Sequence, residues 1–283
     1  MATSTLLVLL VGGGLIGFLL AVLGAGGAIL LLPLLVGVLD LPTDPAISLS
    51  LLVVMLLAIG NAIPYLRRGQ VAPRPALLLG LPAVLGSWWG ARLAKAGLVN
   101  DTAQLLIFIS AALVASVLML RHSNNKLPSA QRLPLINALK PKRAGWVLPL
   151  QGVLVGLLTG TAGVGGGFAI VPALVLLAGL PMQLATGTSL VLIALSSPVA
   201  LIVLDDWPVA QLPLILPILG GGVAGALIGQ RLAPHLGERQ LRRGFAALLL
   251  GSALFTGFRT LQRDLAAQHP NPSVPPPSHG QPH

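Results

Sequence analysis

Cysteine is absent from the 283 residues, which removes disulfides, thiolate metal sites and cysteine nucleophiles in one step. Charge is nearly as scarce: 8% of residues are Asp, Glu, Lys or Arg, against 55% hydrophobic and a mean hydropathy of +0.90. So few charges cannot cover a soluble globule of this length, and the chain reads as an integral membrane protein in contact with lipid. Aromatics make up only 4%, with no groove of interleaved basic and aromatic residues, so nucleic acid is not expected as a partner despite the net charge of +10. Asp40, Asp44, Asp101, Asp205, Asp206 and Glu238 all lie near the ends of apolar runs, and no Asp, Glu, His or Lys falls mid-run. Proton transfer through a buried carboxylate is therefore not expected. There is no Walker motif and no HExxH, so the chain is read as neither an ATPase nor an intramembrane protease, without cofactor or metal. The opening residues, MATSTLLVLLVGGG, lack the basic stretch of a cleavable signal peptide.

What the chain does have is repetition at an offset of 139. Gly24, Gly26, Gly27, Pro33, Leu41, Pro42, Ala46, Ser50 and Leu51 recur as Gly163, Gly165, Gly166, Pro172, Leu180, Pro181, Ala185, Ser189 and Leu190. Between Gly13 and Leu51, 15 of 39 positions match their counterparts without a gap, more than apolar composition alone gives. The same offset aligns Gly86, Gly90 and Arg92 with Gly225, Gly229 and Arg231. The expected organisation is a first repeat over 1–121, a basic linker over 122–145, a second repeat over 146–260 and a disordered Pro-rich tail over 261–283.

Apolar runs lie near 5–39, 46–66, 76–94, 103–120, 146–179, 184–204, 209–233 and 244–258. Six have the length of one membrane span, about 20 residues at 1.5 Å each. The first and fifth are too long for one helix, and each contains a glycine cluster. Loop charge orients them. Arg121, Lys126, Arg132, Lys140, Lys142 and Arg143 share one acid-free connection, which belongs in the cytoplasm. Counting spans outward puts Arg67 and Arg68 inside and Asp40, Asp44, Asp205 and Asp206 outside. Equivalent connections of the two repeats then lie on opposite faces, which requires an odd number of crossings per repeat. The expected fold is all-α and polytopic: two inverted repeats, each a Gly-broken hairpin followed by three transmembrane helices. Arg92, Lys95 and the arginines near the C-terminus fall outside in this scheme, so a direct repeat stays open as the alternative.

A helix interrupted inside a bilayer exposes backbone N–H and C=O groups that need a partner. The helix restarting after each glycine cluster directs its N-terminal N–H groups and positive dipole end at the break, which suits an anion. Candidate substrate contacts are Gly24, Gly26, Gly27 and Ser50 in the first copy, and Thr159, Thr161, Gly163, Gly165, Gly166, Gly167, Thr186, Thr188 and Ser189 in the second. Taken singly, each glycine is equally a close-packing device and each hydroxyl a back-bond to its own helix. Together, and duplicated, they read as a site with its polar share in the second copy. Arg92 and Arg231, at the ends of matching helices, either snorkel or draw an anion to the two mouths.

The GxGGG-like clusters with their following prolines, and the Ala-Thr-Gly-Thr-Ser-Leu run from Ala185 to Leu190, resemble the TauE/SafE family of membrane proteins, called sulfite exporters. The resemblance extends from about Leu6 to Phe258 and implies a multi-pass permease of the bacterial inner membrane for sulfite, sulfoacetate or related organosulfonates. The first copy departs from the pattern, with Ala28 opposite Gly167 and Ile47-Ser48-Leu49-Ser50 opposite Thr-Gly-Thr-Ser. The function expected is thus a secondary transporter, an exporter, of a small anionic sulfur compound. An anion channel and a non-transporting membrane scaffold or assembly factor remain as alternatives, and the oligomeric state is not legible.

Overall fold

A computed structural model of the chain describes residues 3–39, 41–96, 101–124, 147–161, 169–204 and 212–268, and the regular structure among them is entirely helical. Lipid offers no partner for backbone polar groups, so apolar runs of this length must satisfy them internally. Helix α1 (Thr3–Leu23) leads through a single 3-10 turn (Gly24–Gly27) into α2 (Ala28–Val38). Three longer helices follow, α3 (Thr43–Arg67), α4 (Pro73–Lys95) and α5 (Asp101–Asn124). In the second half come α6 (Val147–Thr161), the short α7 (Ile170–Pro172), which passes into a π-helical turn (Ala173–Leu177), then α8 (Met182–Leu204), α9 (Leu212–Leu232) and α10 (Glu238–Gln268).

Among the described residues, four helical stretches are long and apolar enough to cross a membrane: Thr5–Gly37, Pro45–Arg67, Met182–Ile202 and Pro213–His235. Helices α4, α5 and α10 form where apolar runs predict them but are less apolar along their full length. Arg74, Arg92 and Lys95 lie within α4, Arg239, Arg242 and Arg243 open α10, and the apolar part of α5 is Ile109–Arg121. Helix α10 also continues to Gln268, into the segment assigned to the tail, because no proline interrupts it before Pro270. Helix α5 takes in the first residues of the segment assigned to the linker; the rest of the linker, most of the tail and the second glycine cluster lie outside the described residues.

The first long run does fold back on itself. A Cβ placed on Gly12 would sit 2.7 Å from Leu34 Cδ2, and one on Gly27 would sit 2.5 Å from the Leu20 nitrogen. Early residues of α1 thus meet late residues of α2, and late ones meet early ones. The segments that follow the two glycine clusters in sequence end alike. Leu41 N donates to Leu35 O at 3.2 Å and Leu180 N to Leu174 O at 3.0 Å. One step further, Ala46 N donates to Pro42 O and Ala185 N to Pro181 O. Each pair is related by the offset of 139, so the repeat extends to individual hydrogen bonds.

Packing crosses between the halves: α1 lies along α9, α4 along α6, α3 against α8 and α5 against α10. Glycines let the first two pairs approach backbone to backbone, as small residues do wherever membrane helices pack closely. Cβ atoms on Gly13 and Gly17 would strike the carbonyls of Ile218 and Gly222, and one on Gly225 the carbonyl of Gly14. In the other pair, Gly152 and Gly156 would strike Leu79 and Ala83, and Gly86 would strike Val153. These are the same three contacts with the halves exchanged, since Leu79, Ala83 and Gly14 are the counterparts of Ile218, Gly222 and Val153 in the repeat.

Contacts also fix the sense of each neighbour. Leu57 meets Gly222 and Asn61 Oδ1 accepts from Gln230 Nε2 at 2.8 Å, so α3 and α9 run the same way. Gly80 meets Leu192 while Ser87 shares a cleft with Ser196, so α4 and α8 do as well. Ser116 Oγ donates to Ala246 O at 3.0 Å and Ile109 approaches Gly257, so α5 and α10 run oppositely. The core lies where these pairs converge, with Leu20, Ile29, Leu49, Leu174, Leu190 and Phe245 in one cluster. Outward faces stay apolar, with Leu216 at 76% exposure and Leu150 at 72%, as lipid contact requires.

Candidate functional site

Helix α1 ends because Gly24 takes φ = 71°, a left-handed conformation open to glycine at little cost. Space at this turn is equally restrictive. A Cβ on Gly24 would overlap the Ser189 hydroxyl and lie 3.1 Å from Thr186 Cα. One on Gly26 would stand 3.0 Å from Phe245 Cε2, and Gly27 abuts Leu20 and Ile16 of the incoming arm. The three glycines therefore give the turn three close neighbours: α8, α10 and α1. All four residues from Gly24 to Gly27 are buried.

A helix that stops here leaves its last carbonyls without intrahelical donors. Tyr65, the one tyrosine of the chain, supplies a donor from α3: its hydroxyl donates to Ala21 O at 2.7 Å, and its ring is buried. Tyr65→Phe should lower stability by about 1–3 kcal/mol, because the Ala21 carbonyl then stays buried without that bond. Thermal unfolding in detergent reads this; an unchanged midpoint would remove Tyr65 from the support of the turn.

Opposite the turn stands the start of α8, where Thr186, Thr188 and Ser189 are fully buried. Two of their hydroxyls are committed within the protein. Ser189 Oγ donates to Thr186 O at 2.8 Å, while Thr188 Oγ1 donates to Leu184 O at 2.6 Å and accepts from Ala72 N at 3.0 Å. Thr186 differs: its Oγ1 is buried and has no hydrogen-bond partner among the described residues. Leaving a hydroxyl in that state costs about 1–3 kcal/mol, and the same cost is absent when a ligand or water completes it.

Thr186 and Ser189 of the second copy pack against Gly24 of the first. The reason is the packing across halves, which sets α8 beside the first turn. Ser50, the counterpart of Ser189, is buried on α3 and donates to Ile47 O at 2.8 Å. Gly163, Gly165, Gly166 and Gly167 lie outside the described residues, as do the side chains of Thr159 and Thr161. Arg92 and Arg231 are exposed at the ends of α4 and α9. The Arg92 guanidinium lies 4.0 Å from the centroid of the Trp88 ring, and neither arginine joins the buried turn.

Two side chains near the turn were not singled out from sequence. Tyr65 carried a signal, a lone tyrosine inside an apolar run. Arg242 carried a weaker one, an arginine four residues after Glu238; it is 3% exposed, and its guanidinium pairs with the Glu238 carboxylate.

Relatives agree in length and kind. A probable membrane transporter protein of Xylella fastidiosa is 29% identical over 92% of this chain and 98% of its own length. Another of Haemophilus influenzae is 24% identical over 90% of this chain and 98% of its own, and the probable membrane transporter protein YdhB of Bacillus subtilis is 26% identical over 77% and 86%. No solved structure matches the chain significantly. The family model described as sulfite exporter TauE/SafE matches residues 9–256, nearly the whole membrane part, and the chain belongs to that family.

Proposed function

We propose that the chain is a multi-pass transporter of the bacterial inner membrane that exports small sulfur oxyanions, sulfite or an organosulfonate, by alternating access. The anion is held between the Gly24–Gly27 turn of one half and the start of α8 in the other. Gly24, Gly26 and Gly27 bring backbone close to it, and Thr186 donates its hydroxyl to an anion oxygen while Thr188 and Ser189 hold the α8 backbone in place. The observation that carries this reading is the buried, unpartnered Thr186 Oγ1 on a residue whose backbone packs against a helix break. Ser50, Thr159, Thr161, Gly163, Gly165, Gly166 and Gly167 are further proposed contacts of the anion, on the strength of the sequence repeat. Arg92 and Arg231 attract the anion to opposite mouths.

The two halves are inverted in this reading. If each broken run enters and leaves on one side, α3 and α9 cross in the same sense, as do α4 and α8, while α5 and α10 cross oppositely. If each broken run crosses once, all three relations reverse. The helix directions given above support the first arrangement.

Thr186→Val separates site from scaffold. Removing a buried hydroxyl without a partner leaves stability unchanged or raises it. Loss of a hydrogen bond to a charged ligand weakens sulfite binding about 10- to 100-fold. The expected result is a folded protein whose KM for labelled sulfite in proteoliposomes rises by that factor. An unchanged KM in the folded variant would exclude Thr186 from the site.

A further inference from the structure

Four arginines gather where α9 ends and α10 begins: Arg231, Arg239, Arg242 and Arg243. Three are exposed, as expected of side chains at a cytoplasmic membrane surface. Arg242 is 3% exposed. Burial of a guanidinium is costly, and the positive end of the α10 dipole adds to the cost in the second turn of the helix. Glu238, with which it forms an ion pair, lies one turn back on the same helix with 42% of its side chain exposed. That carboxylate can leave for solvent without being buried uncompensated, whereas the guanidinium cannot.

Arg242 also has a position that the exposed arginines lack. Phe245, three residues on and on the same side of α10, is the ring that stands against Gly26, and Gly244 approaches Leu23. A helical side chain points back toward its N-terminus, so the guanidinium lies on the α10 N-terminal side of the contact between α10 and the turn. Between the basic end of the protein and the Gly24 turn, Arg242 is the buried cation that the described residues provide.

We propose that Arg242 receives the oxyanion on its way to the Gly24 turn, with Glu238 as the resting carboxylate that the anion displaces. The inference rests on the reading of that turn as the substrate site. At rest the pair is neutral and the buried charge compensated. An arriving oxyanion takes the carboxylate's place on the guanidinium fork, which suits planar bidentate oxygens, and Glu238 swings to water. The anion then passes inward to the Thr186 hydroxyl, and the pair re-forms behind it.

The experiment is counterflow of 35S-sulfite in proteoliposomes for wild type, Arg242→Gln, Arg242→Lys and Glu238→Gln. Arg242→Gln should raise the KM for sulfite about tenfold or more, with Arg242→Lys recovering most of it, because charge is retained and only the fork is lost. Glu238→Gln removes the competitor, so its KM should fall about two- to fivefold, a modest factor because the carboxylate is half exposed. A purely structural pair gives a different pattern: Glu238→Gln and Arg242→Gln both lower the yield of folded protein and leave KM as in wild type. That pattern, or a raised KM in Glu238→Gln, overturns the assignment. If Arg242→Gln does not fold, Glu238→Gln alone decides the direction. A shift with Thr186→Val but none with either member of the pair would leave the site standing and remove Arg242 from the path. No shift with any of them would remove the site as well.

Discussion

Gly24→Ala is expected to abolish transport and to destabilise the protein by about 2–5 kcal/mol. Two costs combine. A residue with a Cβ pays about 1–2 kcal/mol at φ = 71°. The new methyl must also displace the Ser189 hydroxyl and press on the Thr186 backbone at 3.1 Å. Gly69→Ala is the matching control, because Gly69 has φ = 65° and nothing within 4 Å of the place its methyl would take, so only the backbone cost applies. Thermal unfolding should show the difference between the two, and sulfite flux should be lost only in the first. Equal, small effects at both positions would mean that the turn does not bear tightly on α8.

The second large effect belongs to the helix pairs across the halves. Gly17→Leu and Gly156→Leu should each destabilise by about 3 kcal/mol or more, since each inserts a side chain where a carbonyl of the facing helix already lies. The two should fall by similar amounts, because the Gly17 contact with Gly222 and the Gly156 contact with Ala83 are one contact in the two halves. Gly60→Leu, on a face with nothing within 4 Å, should change stability by no more than about 0.5 kcal/mol. Yield and unfolding midpoint of the purified variants are the readout. A severe effect at one glycine and none at its counterpart would show that the halves do not share this packing.

These two predictions mark what could be read from the sequence and what could not. The repeat was legible because glycine, proline and serine keep fixed places in an otherwise interchangeable apolar background, and the bend at Gly24 followed from a run too long for one helix. The hydroxyls of α8 were legible as candidates. Their partner was not, because a sequence repeat says which residues are equivalent and not which half each one faces. Packing between the halves sets Thr186 of the second copy beside Gly24 of the first. Back-bonding also sorts the hydroxyls in a way that composition does not. Thr188 and Ser189 bond to the backbone of their own helix, and Thr186 does not. Arg242 was hidden for a different reason: its burial depends on how α10 lies against the turn and α5, while its neighbours in sequence, Arg239 and Arg243, are ordinary exposed cations.

Two backbone-tight pairs, α1 with α9 and α4 with α6, join the halves, and α8 also meets α3 closely at Gly187, where a Cβ would strike the Gln70 carbonyl and the Tyr65 ring. The Gly24 turn touches α8 and α10. Under the proposed alternating access, a relative shift of α8 and α10 is expected to change access to Thr186.

The most direct test is counterflow of 35S-sulfite into proteoliposomes preloaded with unlabelled sulfite, using the purified wild-type chain. The account predicts saturable, transient accumulation of label above equilibrium, which a carrier gives and a channel cannot. Flux of sulfite that rises linearly with concentration and shows no overshoot, or no flux at all from correctly inserted protein, would contradict it.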